Sequence, residues 1–169
     1  MVRAKICGIT NWADAKLSVD AGASALGFNF FAASPRSISP AVAWEIIRRL
    51  PPFVAAIGVF VNWKPEAVAA LSRSLQLSGV QLHGSESPSD VAALATQGLV
   101  IKAVQVKRGF HLEALRKFRG AGAILLDGFR PGHAIQVGTL KILHRAQIHS
   151  VGGFATSTDG NAGKVTPIQ

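Results

Sequence analysis

The stretch Val54-Ala55-Ala56-Ile57-Gly58-Val59-Phe60-Val61-Asn62 is apolar at almost every position and ends on an amide, and Pro65 then opens an amphipathic segment over 65–77. A strand packed on one face alternates apolar with polar residues. One that is apolar throughout is buried on both faces, as in a parallel sheet covered by helices. The same unit recurs outward from this stretch at a spacing of roughly 20 to 30 residues, the mark of repeated βα units. Toward the N-terminus, strands are expected over 4–9 and 25–31, with helices over 12–22 and 40–50. Toward the C-terminus, strand 80–83 pairs with helix 89–97, strand 99–106 with helix 111–119, and a sixth strand covers 123–126. Helix boundaries carry local signals: Thr10 and Asn11 offer capping oxygens, Gly22 can end the first helix, Pro40 starts the second, and Pro51 and Pro52 stop it.

Right-handed βα repeats build either an open doubly wound sheet or a closed barrel. Polar or special residues fall at the C-terminal ends of five strands: Cys7, Asn29, Asn62, His83 and Asp127. In a barrel those ends form one mouth. An open sheet would focus its ligand at one switch point, and no GxGxxG or Walker sequence marks one. The expected class is therefore α/β, a (β/α)8 barrel of TIM type, with residues 1–169 as a single barrel domain. It is expected to be incomplete, because such barrels need about 200 residues or more and this chain has 169.

The shortfall sits in residues 133–169. This tail holds one acid, Asp159, and three of the five histidines, and it ends in glycine-, serine- and threonine-rich sequence. Only 138–146 reads as a helix and 148–151 as a short strand, so two further βα units do not fit. The change in composition fits a truncated gene, a shifted reading frame or a divergent in-frame tail. The expected consequence is a barrel open between its first and sixth strands, or poorly closed by a partial seventh, with self-association through the open edges.

Composition sets wider bounds. Hydrophobic residues make up 49% and charged residues 16%, with a mean hydropathy of +0.30, so the chain can bury a core and is not compositionally disordered. Its longest apolar run, 53–61, falls far short of the roughly 20 residues of a membrane-spanning helix, and the N-terminus lacks a secretory pattern. No membrane partner and a cytoplasmic location are expected. The formal charge of +9 points to anionic partners. The basic residues are nevertheless dispersed in short groups such as Arg48-Arg49 and Lys107-Arg108, and aromatics total 7%. Solvated helix faces and a small anionic metabolite suit this pattern better than nucleic acid, which calls for charge on one face and stacking aromatics. The single cysteine, Cys7, can form no internal disulfide and has no CxxC partner, so it is either a buried packer or a working thiol.

The run Lys5-Ile6-Cys7-Gly8-Ile9-Thr10 resembles the N-terminal signature of the phosphoribosylanthranilate isomerase family. Four further segments are similar to that family in the expected order: Gly27-Phe28 with Ser34-Pro35-Arg36-Ser37, Gly58-Val59-Phe60-Val61-Asn62, Val80-Gln81-Leu82-His83-Gly84, and Leu125-Leu126-Asp127. The likeness covers residues 1 to about 132 and then fades. It implies a cofactor-free, metal-free Amadori rearrangement in tryptophan biosynthesis. In that reaction N-(5-phosphoribosyl)anthranilate, an anionic phosphosugar, becomes 1-(2-carboxyphenylamino)-1-deoxyribulose 5-phosphate. The resemblance makes Cys7 the general base, Asp127 the general acid and Arg36 the partner of the anthranilate carboxylate.

The residues themselves can be weighed beside it. Lys5 shares a strand face with Cys7 and could favour the thiolate, although a lone strand cysteine is ordinarily an inert packer. The three apolar residues before Asp127 favour the neutral carboxyl that an acid needs, although an aspartate before Gly128 also suits a turn. Arg36 has the planar fork for bidentate carboxylate recognition, although most arginines lie at the surface. Gln81 and His83 alternate to one face of their strand, where both would line the pocket. The resemblance makes Gly152 and Gly153, after Val151, the phosphate-binding glycines, as the counterpart of the family's Gly-Gly pair at the end of its seventh strand. Three other readings remain: an inactive barrel fragment of the same family, another phosphosugar-binding barrel enzyme, and a nucleic-acid binder driven by charge.

Overall fold

The computed structural model describes residues 4–128 and the backbone of 141–144. Strands and helices alternate as the apolar runs require: β1 Lys5–Cys7, α1 Trp12–Asp20, β2 Ala25–Asn29, α2 Pro40–Ile47, β3 Ala55–Phe60, α3 Pro65–Ser74, β4 Gly79–Leu82, α4 Pro88–Ala95, β5 Leu99–Val106, a 3-10 helix Leu112–Phe118, β6 Ala123–Gly128 and β7 Lys141–His144. The six strands β1 to β6 are parallel and pair in chain order. This is the wall of a TIM-type barrel, and among the described residues it is not closed, since β1 pairs only with β2.

Local chemistry sets the helix starts. Asn11 Oδ1 accepts from the Asp14 N–H at 2.9 Å, and Ser39 Oγ accepts from Val42 N–H ahead of Pro40. At α4, Ser87 and Asp90 form a reciprocal capping box around Pro88.

Strand alternation sorts side chains into two layers. Leu26, Phe28, Phe60, Val80, Leu82 and Val100 point outward into the main core beneath the helices. Ile57, Ile101, Ala103, Ala123 and Leu125 point inward, with Ala25 and Ala55 packed beside them. The registers Cys7↔Gly27↔Ile57 and Gln105↔Asp127 place Cys7 and Asp127 in that inward series, near the C-terminal ends of their strands.

Two expectations for the tail meet the structure differently. Residues 138–146 were expected to be helical, yet Lys141–His144 is a strand running antiparallel on β6, with Leu125↔Ile142 in register. A free β6 edge would leave backbone N–H and C=O groups unpaired, and satisfying them outweighs a weak helical periodicity. The strand expected at 148–151 lies outside the described residues. The helix expected over 111–119 forms as the tighter 3-10 type. Among the described residues, no helix is long and apolar enough to cross a membrane. Two of the dispersed arginines, Arg48 and Arg116, pair with Glu45 and Glu113 on exposed helical faces.

Candidate active site

The short strand β1 ends at Cys7, whose side chain is partly exposed. Cys7 Sγ and Lys5 Nζ both lie over Gly27 on the neighbouring strand, at 2.8 and 2.9 Å from where a Cβ there would sit. The cation anticipated on the face of Cys7 is therefore present. The chain then turns at Gly8, whose φ of +88° suits glycine. A Cβ at Gly8 would also collide with Arg36 Cδ at 2.6 Å. Arg36 reaches across from the loop after β2 and donates from Nη1 to the Cys7 carbonyl oxygen at 3.2 Å. Glycine after the cysteine thus allows both the turn and the approach of the guanidinium.

On the opposite side of the described wall, three side chains form a line. Gln81 Nε2 donates to His83 Nδ1 at 3.0 Å, and His83 Nε2 lies 3.2 Å from Asp127 Oδ2. With Nδ1 accepting, the ring proton sits on Nε2, which donates to the carboxyl group. Gln81 Oε1 is buried and has no partner among the described residues. His83 and Asp127 side chains are 15% and 16% exposed, so both reach the mouth without being lost to bulk solvent. A cavity of about 540 Å³ opens beside His83 along the rim, between Asn62, Glu86, Lys102, Gln105 and Phe118.

Cys7, Arg36, Gln81, His83 and Asp127 therefore all stand at the C-terminal end of the parallel strands. Arg36 joins Cys7, and Gln81 with His83 joins Asp127. Gly152 and Gly153 lie outside the described residues.

Sequence reasoning missed a second network behind this line. Lys102, only 2% exposed, lies on the outward face of β5 and donates to the Leu82 carbonyl at 3.2 Å, the Gly84 carbonyl at 2.7 Å and Glu86 Oε2 at 2.8 Å. Glu86, itself buried, accepts from the N–H groups of Asn62 and Gly84. Burial works to raise the Glu86 carboxyl, but the hydrogen bonds from Lys102 and the backbone N–H groups outweigh it and hold the group below its ordinary value. A sequence signal existed: Lys102 is a lone charge inside an apolar strand, between Ile101 and Ala103. Burying such a charge costs several kcal/mol before pairing, so its partner had to be close.

The sequence model describing N-(5'-phosphoribosyl)anthranilate isomerase matches residues 4–166. The chain belongs to that family. The match runs into the tail, where the sequence motifs had only partial counterparts. The N-(5'-phosphoribosyl)anthranilate isomerase of Pelobacter propionicus is 48% identical over 134 residues, which cover 78% of this chain and 61% of the relative. The crystal structure of phosphoribosyl anthranilate isomerase from Thermotoga maritima superposes with a TM-score of 0.74 at 47% identity, covering 79% of this chain and 64% of that one. A second solved isomerase, in complex with reduced 1-(o-carboxyphenylamino)-1-deoxyribulose 5-phosphate, gives a TM-score of 0.72 at 48% identity, covering 76% and 66%. The chain spans about three fifths of the length of the curated relatives it matches.

Proposed function

We propose that this chain carries the isomerase chemistry of its family, converting N-(5-phosphoribosyl)anthranilate to 1-(2-carboxyphenylamino)-1-deoxyribulose 5-phosphate. The observation that supports the reading is that Cys7, held by Arg36, and Asp127, held by His83, both lie in the inward series near the C-terminal ends of the parallel strands. Asp127 gives a proton to the furanose ring oxygen as the C1–O bond breaks, and the sugar opens to a protonated imine. Cys7, as thiolate, removes the C2 proton, and the electron pair moves to form the enolamine. Tautomerisation then yields the ketose. With Oδ2 of Asp127 held by His83, Oδ1 is left to carry the transferable proton. Arg36 offers its remaining donors to the anthranilate carboxylate while one holds the Cys7 carbonyl. Gln81 and His83 line the pocket between them.

Phosphate binding is assigned to Gly152 and Gly153 by sequence alone. Self-association belongs to the same reading, because β1 has one strand neighbour among the described residues and Ile6 on its outer face is 43% exposed. A cytoplasmic site of action completes it.

The test is steady-state kinetics on Cys7→Ala and Asp127→Asn. Each should lower kcat by about 10² to 10⁴ with little change in KM, the signature of a lost proton-transfer group. An effect confined to KM would return both residues to passive lining.

A further inference from the structure

We infer that the buried Lys102–Glu86 pair is a positioning device for the reaction site, holding the β4–α4 turn so that His83 meets Asp127. The inference rests on the isomerase reading above and adds residues that take no part in its proton transfers. All three Lys102 donors are committed: one to Leu82 O, one to Gly84 O and one to Glu86. Those two carbonyls flank His83 on either side. The His83 N–H is itself tied to the Phe60 carbonyl at 2.8 Å. Glu86 closes the arrangement by accepting from Gly84 N–H and from Asn62 N–H at the end of β3. Asn62 in turn takes the Ser85 N–H on its Oδ1 at 2.7 Å. A Cβ at Gly84 would lie 2.2 Å from that Asn62 oxygen, so only glycine lets the turn pack this closely on Asn62.

The backbone of His83 is thus fixed from β3, β5 and its own loop before its ring engages Gln81 and Asp127. An apolar residue at Lys102 would fill the outward core with no desolvation to offset. What the lysine adds is the triple anchor on the turn.

Three variants separate positioning from simple stability: Glu86→Gln and Lys102→Met, each of which should lower kcat with KM nearly unchanged and would count against the inference by keeping the parent's kcat, and the double variant Lys102→Met with Glu86→Leu. The double variant replaces a buried ion pair with apolar groups of similar volume, a change that is often neutral or stabilising. We expect it to unfold in urea at or above the parent's midpoint, yet with kcat reduced about 10- to 100-fold and KM nearly unchanged, as a displaced catalytic geometry would give. The ring nitrogens of His83, followed by 15N NMR, should move from the parent's single Nε2–H form toward a tautomer average. A folded double variant with the parent's kcat and the parent's His83 shifts would overturn the inference and leave the pair a structural one. Absence of turnover in the parent chain would be a failure of the isomerase reading instead. The His83 shifts would then decide the positioning claim alone, with unchanged shifts in the double variant counting against it.

Discussion

β1 and β4 run parallel in one sheet and lead to the same mouth, but they are held differently. β4 pairs with β3 and β5, and all four of its residues are buried. β1 is three residues long, pairs with β2 alone among the described residues, and leaves Ile6 43% exposed where Leu82 on β4 is 1% exposed. The proposed acid and base inherit this contrast. Asp127 meets a histidine whose backbone is tied down from three directions, while among the described residues Cys7 depends on one strand pairing and the Arg36 bond to its carbonyl. Burial and paired backbone make side-chain position a property of the wall, and at the edge it rests on a few contacts.

Substitutions on the two sides should therefore differ in size. Phe60, fully buried on β3 and stacked on Phe30 with ring centroids 5.3 Å apart, anchors the packed side. Phe60→Ala should cost about 3 to 5 kcal/mol in urea unfolding; a loss as small as an edge substitution would mean the wall is not the stable unit. Arg36→Lys keeps the charge but loses the fork, and should weaken anthranilate binding by about 1 to 3 kcal/mol, read from KM. An unchanged KM would make Arg36 only a tether for β1.

Ser87→Ala removes the cap of α4 beside the packed side and should cost about 1 kcal/mol. The same turn predicts an acid limb. Hydrogen bonds from Ser87 hold the Asp90 carboxyl below its ordinary value, and Glu86 is held low as described. For a depressed carboxyl, the stabilisation is complete above the unfolded-state value, about 4 for these groups, and is lost as pH falls through the lower folded one. Melting temperature should stay level from pH 7 to about 5 and decline below about 4. Smallest of all, Ile6→Ala on the exposed face of the edge should change stability by about 0.5 kcal/mol or less. A large loss there would show that β1 is covered by chain outside the described residues.

The sequence was most legible where burial dictated composition. The continuous apolar run at residues 54–61 reads as an interior parallel strand, and β3 occupies Ala55–Phe60. That Cys7, His83 and Asp127 share the inward face near the C-terminal strand ends followed from period-2 alternation once those ends were assigned. Two things were not legible. The Gln81–His83–Asp127 line depends on strand register, which apolar patterning fixes only as to face. The strand Lys141–His144 depends on the free edge of β6, a tertiary demand that no local pattern in residues 138–146 expresses.

The most direct test of the central claim is a double-mutant cycle on turnover of N-(5-phosphoribosyl)anthranilate by the chain, with Cys7→Ala, Asp127→Asn and both together. If the edge residue and the wall residue serve one substrate in one mouth, the parent chain forms the ketose product and either single change removes nearly as much activity as the pair, because the two act as a unit. A parent chain without turnover, or single variants that keep the parent's rate, would contradict the account.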